Sequence, residues 1–338
     1  MTKPLLILTS FLNFFPICLC SIIDEIGINY GQVANNLPSP YQSVQILKNM
    51  KVGFKTMIRF ILVGNEILTM VGFINLLKQQ ALITSKLELL WQWTYWNQHF
   101  HLQTNSYFFL DVYPYFSWST NPINTAALDF AFNIKLAIAE TGWPNAGDID
   151  QTGANIHMCC TYNRKLVQKM RAKPPIGTPA QPGVTIPTFI FSLYDENQKQ
   201  GPGTERHWGL LQPSGWPNYE LDFTGEKSDL EYGMLPEPLN DEPYKGKIWC
   251  VVATGVNEME LSPALDFACN QGEGICDELA PGKTCHKQIS VTTHASYAFS
   301  SYWAKFRNQG ATCYFNGLAT QTTIDPSYGS CKFPSVSI

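Results

Sequence analysis

The hydrophobic residues in the first two thirds of the chain form short apolar runs that end in polar residues. In chain order, the runs are IGINYG, FILVGNEI, FFLDVYPYF, IKLAIAETGW and TFIFSLYDEN. Near-continuous apolar runs of this length are typical of parallel strands that are buried on both faces. Between some of them, YQSVQILKNM and residues 73–93 space their apolar residues as a helix does. Strands that alternate with helices predict a parallel α/β architecture.

Polar side chains stand at the ends of these predicted strands. The residues in this position are Asn65, Glu66, Tyr113, Glu140 and Glu196. In a (β/α)8 barrel, the functional groups lie at the C-terminal ends of the strands. One acid there is usually the start of a solvated loop, but several together indicate a site. Retaining glycoside hydrolysis needs two carboxylates roughly 5 Å apart, one as acid and one as nucleophile. Glu66 and Glu140 are therefore a candidate pair.

Other chemistries find less support in the sequence. It has no G-x-S-x-G nucleophile elbow, no phosphate-binding loop and no H-E-x-x-H metal motif. We therefore expect no cofactor and no metal. A net charge of -4 gives no reason to expect nucleic acid as a partner. Aromatic residues make up 13% of the chain, which suits stacking on sugar rings but is explained as well by core packing.

The first 20 residues resemble a secretory signal peptide. One lysine precedes an apolar run, and the small residues Cys18 and Cys20 suit the positions before a cleavage site. After Cys331 only KFPSVSI remains, which is not the hydrophobic tail of a lipid-anchor signal. We expect a secreted, extracellular or cell-wall protein that is monomeric and has no membrane partner once the signal is removed.

Residues 226–247 predict a boundary between two domains. This segment holds six acids and three prolines and has few apolar residues, as a solvated linker does. It separates residues 25–225 from residues 248–334. Six of the ten cysteines lie beyond it, which in an exported chain argues for three disulfides whose connectivity the spacing leaves open. The adjacent Cys159 and Cys160 have a spacing that rarely bridges without strain, and they receive no role.

The first region resembles the plant glucan endo-1,3-β-glucosidases of glycoside hydrolase family 17. The motifs that carry the resemblance are IGINYGQVANNLPSP, FILVGNEIL, LDVYPYFSWSTNP, IAETGWPNAG and FIFSLYDENQKQGPGTERHWGLLQPSG. The resemblance implies a (β/α)8 barrel that hydrolyses β-1,3-glucan of the callose or laminarin type with retention. By position in these motifs, Glu66 matches the general acid/base, Glu140 the nucleophile and Asn65 a contact to the sugar. The further substrate contacts that it implies are Tyr30, Tyr113, Trp143, Glu196, Lys199 and Glu205.

The tail resembles the X8 module, also called carbohydrate-binding module family 43. The matching stretches are WCVV, LSPALDFACNQGEGICDELAPGKTC, HASYAFSSYW and DPSYGSC. The resemblance implies a small disulfide-stapled α+β module that binds β-1,3-glucan, with the pairs Cys250–Cys313, Cys269–Cys276 and Cys285–Cys331. The aromatic residues that could form a stacking surface are Trp249, Tyr297, Tyr302, Trp303 and Phe306. Core packing is the alternative for each, and we expect it for at least half of them.

The first region departs from its family in length. KNMKVGFKTMIRFILVGNE runs from the first predicted helix directly into the strand that ends at Glu66, where the family has two more strand–helix units. A second shortening lies between AALDFAFN and IKLAIAE. A (β/α)8 barrel usually takes about 250 residues, so we expect an incomplete one. It is either a reduced barrel or the product of altered splicing, and the rival function is a non-catalytic β-1,3-glucan-binding cell-wall protein.

Overall fold

The computed structural model describes residues 26–29, 33–50, 107–120, 135–178, 181–238, 240–286 and 290–338. The elements before the predicted linker are β1 (Ile26–Ile28), α1 (Pro40–Asn49), β2 (Tyr107–Asp111), α2 (Pro114–Thr120), β3 (Lys135–Thr141), α3 (Ile156–Arg171), β4 (Gly177–Thr178), β5 (Gln181–Pro182) and β6 (Thr188–Ile190). Four of the five predicted strands are confirmed. The fifth, which ends at Glu66, and the predicted helix in residues 73–93 lie outside the described residues.

Four strands form one parallel sheet in the order β1–β6–β3–β2. Ile26 of β1 pairs with Thr188 of β6, so the first strand of the region lies beside its last parallel strand. β6 pairs in turn with β3, and β3 with β2. This arrangement confirms the predicted parallel α/β class.

The core of the first region lies between this sheet and the helices α1 and α3. Ile26 and Ile190 from the sheet pack with Leu166 and Val167 of α3, and Ile46 of α1 packs against the same cluster. The helix α3 begins at Asn155, whose side chain accepts a hydrogen bond from the Met158 amide at 2.8 Å. Such an N-cap satisfies one of the amides that the first helical turn leaves without a partner. The sheet and the two helices therefore share one hydrophobic core.

The tail is a three-stranded antiparallel sheet with one helix packed on it and a second helix packed against the first. Its elements are β7 (Lys247–Val252), α4 (Glu258–Cys269), α5 (Val291–Phe306), β8 (Ala319–Thr322) and β9 (Val336–Ser337), with the strand order β8–β7–β9. Disulfides join Cys250 to Cys313, Cys269 to Cys276 and Cys285 to Cys331. These are the three pairs that the X8 resemblance implied. They surround a core in which Ile248, Leu261 and Phe299 are fully buried.

The predicted linker is exposed over much of its length but contacts the first region at several places. The Asn240 carbonyl accepts a hydrogen bond from the Gly153 amide at 2.8 Å, and its side-chain amide donates to the Ala154 carbonyl at 3.1 Å. Further upstream, the guanidinium of Arg164 lies 3.6 Å from the centre of the Tyr232 ring. The segment therefore runs along the length of α3, from Gln168, which donates to the Lys227 carbonyl, to the N-cap Asn155.

Two further points of the sequence analysis concern membrane-spanning helices and the cysteines outside the tail. No helix among the described residues combines the length and apolar character needed to cross a membrane, and the predicted signal in residues 1–20 lies outside them. Cys159 and Cys160 are free thiols buried on α3. Burial raises the pKa of the Cys160 thiol to about 11, so that very little of it is the reactive thiolate at neutral pH.

Candidate active site

Glu140 lies at the C-terminal end of β3, where the pairing of that strand becomes irregular on both sides. The register with β2 shifts between Leu110 and Asp111, so that Asp111 pairs with Glu140. The register with β6 shifts between Ile138 and Thr141. Irregular pairing of this kind re-aims a side chain at the end of a strand. The irregular pairing on both sides of β3 therefore occurs at or beside Glu140.

The carboxylate of Glu140 is oriented by a tyrosine that lies two residues beyond the end of the neighbouring strand β2. The Tyr113 hydroxyl donates a hydrogen bond to Glu140 Oε2 at 2.7 Å. Burial, together with the nearby carboxylates of Glu140, Asp111 and Glu205, raises the pKa of Tyr113 well above its ordinary value. The phenol therefore keeps its proton and remains a donor at any physiological pH. The ring is itself held by edge contacts to Trp208 at 4.9 Å and Phe191 at 6.3 Å.

The turn that follows Glu140 is packed so closely that few other residues would fit in it. A Cβ atom on Gly142 would lie 2.4 Å from the Phe191 carbonyl oxygen, so only glycine allows β3 and β6 to approach here. The Thr141 and Tyr162 hydroxyls share a hydrogen bond of 2.5 Å. Trp143 is buried and donates from its indole nitrogen to the Gly153 carbonyl at 2.8 Å. The predicted substrate contact of Trp143 is therefore corrected: the side chain anchors the turn from the core.

A second group of charged residues follows β6. Lys199 Nζ lies 2.9 Å from Glu205 Oε2 and 3.9 Å from Glu196 Oε2. Glu196 is buried, and its Oε1 accepts a hydrogen bond from the Val33 amide at 3.1 Å. The sequence predicted these three residues as substrate contacts, and the structure brings them together. We name Glu196, Lys199 and Glu205 the charged cluster.

The residue before the charged cluster is an acid that the sequence analysis missed. Asp195 is buried; its Oδ1 accepts hydrogen bonds from the Asn145 side chain at 2.9 Å and from the Gly209 amide at 2.8 Å, and its Oδ2 accepts one from the Asn218 side chain at 3.0 Å. Desolvation nevertheless raises the pKa of Asp195 to about 6. It ties together the loops that follow β3 and β6. The only sequence signal is its place beside Glu196 at a strand end.

One exposed aromatic ring beside Tyr113 was also missed. Phe116 is 49% exposed, and its ring centre lies 5.9 Å from that of Tyr113. A flat, accessible ring next to a carboxylate is a suitable stacking surface for a sugar. The signal was present in the aromatic stretch VYPYFSW, of which only Tyr113 was selected.

Some predicted site residues are buried in the core, and others lie outside the residues that the structure describes. Tyr30, Asn65 and Glu66 are not among the described residues, so the separation of Glu66 from Glu140 stays a prediction. In the tail, Trp249, Tyr297 and Trp303 are only 6%, 5% and 2% exposed. They have no face to offer a sugar, which corrects the expectation that they contact glucan, because a small module needs its largest rings in its core. Tyr302 is half-buried and makes an edge contact with Phe267 at 5.8 Å.

Comparison with known proteins places both regions in families. Residues 131–223 match the glycosyl hydrolases family 17, and residues 248–320 match the X8 domain. A protein of Arabidopsis thaliana named as a probable glucan endo-1,3-beta-glucosidase is 39% identical over 442 residues, which covers 94% of this chain and 92% of that protein. Since this alignment is longer than the chain of 338 residues, it includes stretches of the relative that have no counterpart here.

Other similarities are more partial. A glucan endo-1,3-beta-D-glucosidase of Olea europaea is 34% identical over 205 residues, and the chain spans 43% of its length. Among solved structures, a beta-1,3-glucanase and allergen of Cryptomeria japonica pollen is 23% identical, with a TM-score of 0.46; the match covers 59% of this chain and 99% of that one.

The family match and the relative from Arabidopsis thaliana define the class of the protein, which is a glycoside hydrolase. The chain belongs to the glycosyl hydrolases family 17, since it matches that family's profile and covers nearly all of a relative at 39% identity. It also carries an X8 domain.

Proposed function

We propose that the chain hydrolyses β-1,3-glucan with retention, using Glu140 as the nucleophile and Glu66 as the general acid/base. The observation that carries the proposal is the placement of Glu140 at a strand end, with its carboxylate held by the Tyr113 hydroxyl at 2.7 Å. Family membership supports the reaction class, and the names of the relatives support the substrate. The tail module, in this proposal, binds the same polysaccharide.

In the proposed mechanism, the fixed carboxylate of Glu140 attacks the anomeric carbon while Glu66 protonates the departing glycosidic oxygen. The glycosyl–enzyme ester is then hydrolysed by water that Glu66 deprotonates. The Tyr113 hydroxyl holds the Glu140 carboxylate in one rotation, which reduces the entropy lost on the way to the transition state. Because the pKa of Tyr113 is raised, it does not compete as an acid in either step.

The charged cluster is proposed to bind sugar hydroxyls beside Glu140. Its carboxylates accept hydrogen bonds and the Lys199 ammonium donates them, which matches the donor and acceptor groups of a polyol. Lys199 Nζ lies 5.0 Å from the centre of the Phe191 ring, and that ring makes an edge contact with Tyr113 at 6.3 Å. These contacts support a position of the cluster near Glu140. Phe116, whose exposed ring lies beside Tyr113, would add a stacking face.

We infer that the parallel sheet belongs to a (β/α)8-type barrel. The pairing of the first strand with the last parallel strand, Ile26 with Thr188, is what closure of a barrel requires. Residues 25–225 are accordingly proposed as the hydrolase domain, 226–247 as its linker and 248–334 as the X8 domain.

The proposed setting is extracellular. Three disulfides in the tail suit an oxidising compartment, and the predicted signal would direct the chain there. On the tail surface, Phe267 is 48% exposed beside Tyr302, and this pair is the proposed stacking face for glucan. We expect a monomer with no nucleic acid and no membrane partner.

Replacement of the two glutamates tests the mechanism. Glu140→Gln is expected to abolish laminarin hydrolysis, because no glycosyl ester can form. Glu66→Gln should also cripple it, but should recover part of its activity on aryl glucosides whose leaving group needs no proton. The exposed Glu226→Gln serves as the matched control and is expected to be fully active. Full activity in Glu140→Gln would refute the proposal, and equal losses on both substrates would refute the role of Glu66.

A second function is favoured by one observation. The alignment with the Arabidopsis relative contains segments that are missing here, and the loss of strand–helix units would leave glucan binding without hydrolysis. The full chain would then bind insoluble β-1,3-glucan through its tail and release no sugar from laminarin. Release of reducing ends by the purified chain, absent in Glu140→Gln, excludes this alternative.

A further inference from the structure

The tail module, residues 247–338, is docked against the loop that carries the charged cluster. We call residues 196–206 the β6 loop. The Tyr314 hydroxyl of the tail module donates a hydrogen bond to the Asn197 carbonyl at 2.9 Å. The guanidinium of Arg206 lies 3.8 Å from the centre of the Tyr314 ring. Tyr314 thus contacts both ends of the β6 loop with one side chain.

The same face of the tail module contacts the loop after β3. We call residues 145–151 the β3 loop. Its Ile149 amide donates to the side-chain carbonyl of Gln321 at 2.9 Å, and the Ile149 side chain packs against the core of the tail module. Asp150 forms an ion pair with Arg307. The two loops are joined to each other as well, since the Gly203 amide donates to Asp148 Oδ2 at 2.8 Å.

Arg206 transmits the contact from Tyr314 into the β6 loop. Its Nη1 donates to the Lys199 carbonyl at 3.2 Å and to the Gly201 carbonyl at 3.1 Å. Its flat face is left for the Tyr314 ring, which is the geometry of a cation–π contact. Arg206 is buried, so without the ring it would keep its charge in a poorly solvated place.

We call the contact of Tyr314 with Arg206 the brace. The residues that it holds are members of the charged cluster. Lys199 contributes the carbonyl that Arg206 binds, and Glu205 is the residue immediately before Arg206. Their side chains meet at 2.9 Å between Lys199 Nζ and Glu205 Oε2. A shift of the β6 loop would therefore move both partners of this ion pair.

We propose that Tyr314 is a positioning residue for hydrolysis: by docking on Arg206, the tail module holds Lys199 and Glu205 in place to receive the substrate. The inference rests on the proposed function, because it needs the charged cluster to bind sugar. It gives the tail module a second role, which is separate from attachment to insoluble glucan. The catalytic domain is then incomplete without the module.

The test compares variants of the full-length oxidised protein on a short soluble β-1,3-oligosaccharide, which is too small to bridge the two domains. Tyr314→Ala is expected to lower kcat/KM by roughly tenfold or more, mainly through kcat, since misplaced binding groups stabilise the transition state poorly. Tyr314→Phe keeps the ring over Arg206 and is expected to recover most of that loss. The control is Met259→Ala, an 80% exposed tail residue with unchanged kinetics expected.

A second measurement separates this inference from the proposed function. Amide hydrogen exchange in the β6 loop should be faster in Tyr314→Ala than in the unaltered chain, whereas binding of insoluble glucan by the tail module should stay the same. If the unaltered chain does not hydrolyse the oligosaccharide, the proposed function fails, and the exchange result alone decides the docking role. Equal exchange and equal kinetics in Tyr314→Ala would overturn the inference.

A third variant guards against misfolding of Tyr314→Ala. Arg206→Lys leaves the tail core intact and keeps the charge, but it loses the flat stack and the paired contacts to two carbonyls. It is expected to reproduce the slower hydrolysis and the faster exchange of the β6 loop. Behaviour like that of the Met259→Ala control would count against the brace.

Discussion

The hydrolase region and the tail module reach their folds by different means. In the hydrolase region, neighbouring strands come from distant parts of the chain, as in the pairing of Ile26 with Thr188. In the tail module, three disulfides span separations of 63, 7 and 46 residues within a single small core. Long-range pairings repay the entropy of loop closure only when the whole sheet forms, whereas cross-links limit the unfolded chain in advance. The fold of the first region therefore depends on formation of the whole sheet, whereas the fold of the tail module is stabilised by its own disulfides.

Removal of one disulfide should produce the largest change in this contrast. In a Cys285→Ser, Cys331→Ser double variant, the tail module is expected to lose about 4 kcal/mol of its free energy of unfolding. Thermal unfolding followed by circular dichroism would report it as an earlier melt of the tail. Cys160→Ala is the control, because it removes a buried thiol that forms no disulfide. A parallel drop in the melt of the hydrolase region would show that the two regions unfold as one unit.

The contribution of Asp195 to the pH dependence of stability in the hydrolase region should have the opposite sign to that of two acids in the tail module. Desolvation raises the pKa of Asp195 from 3.8 to about 6, so the folded hydrolase region holds this proton more tightly than the unfolded chain. Its contribution to the free energy of unfolding therefore falls as the pH rises through that window, by on the order of 3 kcal/mol. In the tail module, hydrogen bonds from Thr284 and Ser327 lower the pKa of Glu278 and Asp325, and stability from these acids is lost as the pH falls.

Asp195→Asn provides the measurement. The difference in unfolding free energy between this variant and the unaltered chain is expected to change between about pH 4 and pH 6 and to be level above it. Urea unfolding at a series of pH values would record it, with the exposed Asp229→Asn as the matched control. A difference that does not vary with pH would mean that Asp195 is not held in a desolvated site.

The smallest expected effect lies at the contact between the regions. Arg307→Gln removes the ion pair with Asp150, whose side chain is partly exposed. We expect a loss of about 1 kcal/mol or less and a wider gap between the two melting transitions in calorimetry. Lys332→Gln, an exposed tail lysine, should leave the gap unchanged. A gap that closes in Arg307→Gln would contradict the docking that the loops show.

Four strands and the helix α1 of the first region could be predicted from local pattern. The apolar runs that became β1, β2, β3 and β6 end where the polar residues begin, because strands buried on both faces have a sharp compositional edge. The cysteine count alone indicated three disulfides, whereas the pairing required the resemblance to the X8 module. The apolar runs and the cysteine count are local or compositional features, so they can be recognised in the sequence before the fold is known.

The site was predictable only where a strand end marked it. Glu140 and Tyr113 were found in this way, and the structure joins them. Asp195 was missed because its partners Asn145 and Asn218 come from other segments. Trp143 and Trp303 were assigned to sugar contacts because an aromatic residue in a turn or on a helix gives no sign of which face the core will cover.

The docking of Tyr314 on the β6 loop has a consequence for recombination between relatives. A chimera that receives a foreign X8 module would join a new surface to loops shaped for Tyr314, Arg307 and Gln321. Such exchanges should succeed only when the β3 and β6 loops travel with the module, although they lie far from it in the gene. Recombination at the linker would then be limited by the residues of the β3 and β6 loops, which lie outside the linker.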